Sequence, residues 1–126
     1  MKALGLHLLI ELHNCDSKLL NNEAMLRKIL YTIARRSGMT PLKDSFHAFT
    51  PHGVSGVVLL AESHVSVHTW PELGYAAVDF FTCNLETDLS LVERMMLESF
   101  KPSHHEVIVQ DRGEHVHVPQ RVICAD

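Results

Sequence analysis

Polar and apolar positions alternate loosely from Lys2 to Leu12, a two-residue period that predicts a strand ending in a turn around Asn14, Cys15 and Asp16. The period then changes. Leu19, Leu20, Leu26, Ile29, Leu30 and Ile33 recur at helical spacing, Lys28, Arg35 and Arg36 fall off that stripe, and Gly38 supplies a stop. Asp44 to Thr50 predicts a second strand closed by Pro51-His52-Gly53, and the strongly apolar Val54 to Leu60 a third. The next strand and turn lie within Glu62 to Tyr75. Tyr75 to Cys83 predicts a buried strand with Asp79 as its one charged residue, and Leu89, Val92, Met96 and Phe100 mark a second amphipathic helix capped by Thr87 or Asp88. Glu106 to Gln110 is a last strand, turning at Asp111-Arg112-Gly113. Glu114 to Asp126 shows no clear period.

These elements predict an α+β fold: a two-layer sandwich of a mostly antiparallel sheet with two helices on one face, entered through a β-α-β unit and a hairpin. The opposite sheet face needs cover. A homodimer stacking sheet on sheet would supply it.

The chain of 126 residues fits a single domain, and 46% hydrophobic with 21% charged residues describes an ordinary globular protein. No apolar run reaches the ~18 residues of a membrane helix. The N-terminus runs straight into a strand with no export signal, so a cytoplasmic location is expected. A net charge of −4 without a Lys/Arg stripe argues against general nucleic-acid binding. Cys15, Cys83 and Cys124 are odd in number and widely spaced, which disfavours a disulfide framework or thiolate zinc site and leaves at least one thiol free.

Candidate chemistry concentrates in Glu62-Ser-His-Val-Ser-Val-His-Thr-Trp-Pro-Glu-Leu-Gly-Tyr75, where two serines beside two histidines, a threonine, a tryptophan and two carboxylates replace the usual β-branched filling of a strand. Polar groups so dense at a strand end must be hydrogen-bonded or functional. With Phe46-His47-Ala48-Phe49, Gly53-Val54-Ser55-Gly56-Val57 and Gly74 to Cys83, this run resembles the bacterial and archaeal S-adenosylmethionine decarboxylases, pyruvoyl enzymes of spermidine synthesis. The resemblance spans most of the chain and weakens toward the C-terminus. Leu73 stands where the family often has an aromatic residue, and Asn84 where it often has glycine.

The resemblance implies that the Ser63 hydroxyl attacks the carbonyl of Glu62, that the resulting ester is eliminated, and that the chain splits into 1–62 and 63–126 with a pyruvoyl group in place of Ser63. It assigns His68 and Ser55 to this processing, His68 as base and Ser55 as hydrogen-bond donor to the intermediate. Substrate amine would then form a Schiff base with the pyruvoyl group, carbon dioxide would leave, and Cys83 would return the proton. Phe49 is expected to stack on adenine and Glu72 to hold the ribose hydroxyls of S-adenosyl-L-methionine. A cofactor made from the chain needs no glycine-rich loop. On a regular strand, however, Ser63 and His68 have opposite parity, so a break such as a bulge or chain reversal is expected near the cleavage site.

Three other activities compete. A pyruvoyl enzyme of this family could decarboxylate arginine or ornithine. A divalent metal could be held by His64 and His68, or by His104, His105, His115 and His117, although no carboxylate or thiolate falls at convincing ligand spacing. A Ser63-His68-Asp79 hydrolase lacks the nucleophile elbow such an enzyme needs. Taken singly, Ser63 reads as a strand-break residue, Cys83 and Phe49 as core, and Glu72, His47 and His52 as surface.

Overall fold

The computed structural model describes residues 3–116; Lys2, His117 and Cys124 lie outside them. The elements in chain order are β1 (Gly5–His13), α1 (Ser17–Leu20), α2 (Glu23–Arg36), β2 (Pro41–Ala48), β3 (Val54–Leu60), β4 (Ser63–Trp70), a 3-10 turn (Pro71–Leu73), β5 (Tyr75–Thr82), α3 (Leu89–Phe100) and β6 (His104–Arg112). The expected single first helix is two. Asp16 caps α1 by accepting from the Lys18 N–H, and Asn22 interrupts the leucine stripe to cap α2 by accepting from Met25. Asp88, rather than Thr87, caps α3.

All six strands form one antiparallel sheet in the order β2-β3-β4-β5-β1-β6. The β2-β3 connection is the expected hairpin. Two of the expected strands move at both ends: β2 runs from Pro41 to Ala48, and β6 from His104 to Arg112, where Asp111 and Arg112 pair with Leu6 and Gly5 instead of turning. Long ladders on β1 outweigh the local turn signal there.

Alternation sorts the sheet into two faces. Leu8, Ile10 and Leu12, Val58 and Leu60, Val65 and Val67, and Val78 and Phe80 are buried against Leu26, Leu30 and Ile33 of α2 and Val92, Met96 and Phe100 of α3. Truncating a wholly buried ring such as Phe80 to alanine should cost about 3–5 kcal/mol. Gly56 belongs to this layer because the Phe46 ring lies where its Cβ would be, 2.0 Å from the ideal position. The other face carries His7, Glu11, Ser55, His64, Ser66, His68 and Asp79 among the exposed apolar residues Leu9, Val57, Leu59 and Ile108. No helix covers it among the described residues.

Candidate active site

β3 and β4 meet in a two-residue turn, Ala61-Glu62, with Leu60 paired to Ser63. The candidate scissile bond therefore sits where the chain reverses. Ser63 is half-buried, pairs with Thr82 on its other side, and has φ 157°, at the edge of a region that side chains rarely enter. The Glu62 carboxylate accepts from the Thr40 N–H at 3.1 Å, and the Glu62 carbonyl oxygen accepts from the Cys83 N–H at 3.0 Å. That N–H polarises the carbonyl which the Ser63 hydroxyl would have to attack. Cys83 follows the last residue of β5 and is half-buried; it is disulfide-bonded here, contrary to the expectation for widely spaced cysteines, so a thiol role belongs to its reduced form. Cys15 is the buried free thiol, and burial pushes it up to about 11, which leaves it inert.

Ser55 and His68 face each other across β3 and β4, with Ser55 Oγ 2.8 Å from His68 Nδ1. Beside them a cleft of about 320 Å³ is lined by Phe49, His52, Gly53, Ser55, His68, Thr69, Trp70 and Glu72. Phe49 is exposed and meets His47 edge-to-face at 4.5 Å. The 3-10 turn holds Glu72 at the rim, where its carboxylate lies 3.1 Å from His52 Nε2. Buried Thr69 locks the wall by donating to the Leu20 carbonyl and accepting from the Val54 N–H.

The predicted residues thus form two groups at opposite ends of β4. Five residues at about 3.3 Å each put Ser63 and His68 roughly 16 Å apart along the strand. The expected break between Ser63 and His68 is not found: the Ala61-Glu62 reversal precedes both, β4 pairs without interruption from Ser63 to Trp70, and the two residues keep their opposite parity and are not brought together. His64 groups with His7 and Asp79 rather than with His68, and His104 with His13 and Glu106. Asp79 contacts His7, His64 and Ser66, which leaves His68 without the carboxylate of a hydrolase triad. His52 and Trp70 escaped notice as cleft residues. A histidine between Pro51 and Gly53 reads as a turn, and only the tertiary approach of the Pro71–Leu73 turn gives it Glu72.

A family model for S-adenosylmethionine decarboxylase matches residues 6–113. This chain belongs to the S-adenosylmethionine decarboxylase family. S-adenosylmethionine decarboxylase proenzymes of Caldicellulosiruptor saccharolyticus and Acetivibrio thermocellus are 45% and 44% identical to it over 113 residues, covering 90% of this chain and 91% of each relative. That of Thermotoga maritima is 40% identical over 115 residues, 91% of this chain and 88% of the relative. The crystal structure of the adenosylmethionine decarboxylase from Aquifex aeolicus superposes with a TM-score of 0.85 at 32% identity, over 98% of this chain and 99% of that one. No helix among the described residues is long and apolar enough to cross a membrane.

Proposed function

We propose that the chain is the proenzyme of a decarboxylase of S-adenosyl-L-methionine, whose product feeds spermidine synthesis, and that it cuts itself between Glu62 and Ser63. The observation that carries this is the 3.0 Å hydrogen bond from the Cys83 N–H to the carbonyl of Glu62, the residue directly before Ser63, in a chain of this family. An amide resists conversion to an ester, so the carbonyl needs a donor aimed where negative charge develops. The Cys83 N–H is one such donor. His68, hydrogen-bonded to Ser55, supplies a base able to accept the α-proton of residue 63 during elimination, with the main-chain carboxylate of Glu62 leaving as the new C-terminus. The dehydroalanine left at residue 63 tautomerises to an imine, which water hydrolyses to the pyruvoyl group with loss of ammonia.

Because those two groups lie at opposite ends of one β4, the reading includes a second copy. Two open sheet faces packed with their β4 strands antiparallel would set the Ser55-His68 end of one protomer against the Ser63-Cys83 end of its partner. Leu9, Val57, Leu59 and Ile108 offer the apolar surface for that contact. Each dimer would then hold two sites, each drawing residues from both chains.

The pyruvoyl group, once formed from Ser63, supplies an electron sink for loss of the substrate carboxylate. The surrounding residues bind and protonate. Phe49 offers a face for the adenine, Glu72 a carboxylate for the ribose hydroxyls, and the reduced Cys83 thiol a proton for the α-carbon. An arginine or ornithine substrate is less well served, since neither has a purine or a ribose for Phe49 and Glu72. Mass spectrometry of purified protein should find fragments 1–62 and 63–126 carrying a ketone that borohydride traps with an amine, and carbon dioxide release should be faster from S-adenosylmethionine than from arginine or ornithine. A chain that persists whole, with no trappable ketone, would defeat the proposal.

A further inference from the structure

Asp79 is the one charged residue of β5, and three side chains from two neighbouring strands converge on it. His7 Nε2 of β1 lies 2.6 Å from Asp79 Oδ2, His64 Nε2 of β4 lies 3.2 Å from the same oxygen, and the Ser66 hydroxyl donates to Oδ1. From β6, Arg112 Nη1 lies 2.9 Å from His7 Nδ1. Arginine can only donate, so His7 Nδ1 accepts, and its Nε2 carries the proton that it gives to Asp79. This settles what the cluster is suited for. Two imidazoles and a carboxylate within 4.8 Å could in principle hold a cation, but the His7 lone pair a metal would need is turned to Arg112 and the opposite nitrogen is already protonated. The arrangement is a hydrogen-bonded hub. Its accepting centre is Asp79.

His64 is the residue directly after Ser63. In the uncut chain residue 63 is tethered from both sides, through its bond to Glu62 and through β4. The Glu62 side is itself tied down by Thr40 and by the Cys83 N–H. Scission between residues 62 and 63 removes that tether and turns residue 63 into a chain end, and chain ends fray unless something holds them. The His64 ring is held by more than its strand. Besides Asp79 it packs against Phe81 at 5.8 Å and meets His7 edge-on at 6.1 Å.

Resting on the self-cleavage reading above, we infer that Asp79 is a positioning residue for the reaction: by gripping the His64 imidazole it keeps the newly made terminus in register with Thr82 and Cys83 after the chain is cut. It touches neither substrate nor the reacting carbonyl. Its hold on residues 64–66, as distinct from its share of global stability, should therefore matter only once the chain is broken, a signature that an ordinary structural carboxylate lacks.

The test places Asp79→Asn in two backgrounds, the self-cleaving chain and the uncut Ser63→Ala chain, and follows amide hydrogen exchange at residues 64–66 by mass spectrometry together with kcat and KM. A hydrogen bond to a charged group supports an effect of about tenfold, so exchange in the cleaved enzyme should quicken by about that factor and kcat should fall comparably with KM nearly unchanged. In the Ser63→Ala background exchange should stay as it was. Should Asp79→Asn fold poorly, His64→Leu serves the same comparison from the other partner and should give the same contrast. Equal acceleration in both backgrounds, or none in the cleaved one, would overturn the inference. So would a stoichiometric zinc ion in the untagged protein that Asp79→Asn loses. A wild-type chain that never cuts counts instead against the self-cleavage reading, whereas one that cuts and turns over, with Asp79→Asn exchanging like it, sinks the anchor alone.

Discussion

The main-chain N–H of Cys83 points at the carbonyl oxygen of Glu62 across 3.0 Å, so the residue whose side chain is proposed to act in turnover contributes its backbone to processing. The two roles separate by mutation. Cys83→Ala keeps the N–H and removes only the sulfur. Cleavage into two fragments should proceed as in wild type, while decarboxylation under reducing conditions should fall by about 10²–10⁴, the usual worth of a positioned acid. Gel analysis beside carbon dioxide release checks both halves. Unchanged turnover would remove the thiol from the reaction.

Ser63→Ala deletes the hydroxyl without disturbing the Ala61-Glu62 turn or the pairing with Thr82. The product should be one intact chain with no carbon dioxide release and with thermal stability close to that of the precursor. Two fragments recovered from this variant would mean that another nucleophile cuts the chain.

The roughly 16 Å between Ser63 and His68 makes a dimer-level prediction. His68→Ala and Ser63→Ala should each remain uncut when expressed alone. Co-expressed, they should form some mixed dimers in which the Ser63 of one chain meets the His68 of the other, so that cleavage of the His68→Ala chain partly returns. Mass spectrometry distinguishes the two chains by their masses. No rescue, with mixed dimers shown to be present, would place both residues' action within a single chain.

Much of this arrangement was legible along the chain. Period two in β3 and period 3.6 in α2 and α3 arise from local geometry and a single buried layer, so the apolar residues that define them, from Val54 to Leu60 and from Leu26 to Ile33, report their own structure. The dense polar run from Glu62 to Glu72 announced a site. What escaped was whatever depends on strand order. Nothing local says that β1 inserts between β5 and β6, yet that insertion is what brings His7 and Arg112 to Asp79 and fills the hub. The same holds for His52 and Glu72, 20 residues apart and joined only because the turn after β4 folds back beside the β2-β3 hairpin. Caps mattered as well: a leucine stripe predicts one helix where Asn22 makes two.

Glu72 at the cleft rim gives a binding prediction. A carboxylate receiving two ribose hydroxyls makes charge-assisted hydrogen bonds, each worth about 1.5–3 kcal/mol. Glu72→Gln should raise KM for S-adenosylmethionine by about tenfold or more, consistent with loss of one such bond, and should leave self-cleavage intact. Steady-state kinetics on fully cleaved enzyme is the measurement. A fall in kcat at constant KM would move Glu72 from binding to chemistry.

The pH dependence of stability follows from Asp79. Burial alone would raise its pKa, but hydrogen bonds from His64, Ser66 and His7, with the attraction of His64, outweigh burial and hold the carboxyl well below the usual range. A carboxylate with a depressed folded-state pKa contributes stability that is fully present above its unfolded value near ~3.9 and is lost as pH falls from there toward the folded value. Wild type should therefore exceed Asp79→Asn in melting temperature by a constant margin from neutrality down to about pH 5, and the margin should shrink steadily below about pH 4. Thermal melts of the Ser63→Ala background across that range isolate the effect from cleavage. A margin that widens on acidification would mean that Asp79 is held protonated in the folded protein, and the hub would then have to be redrawn with its carboxyl as a donor.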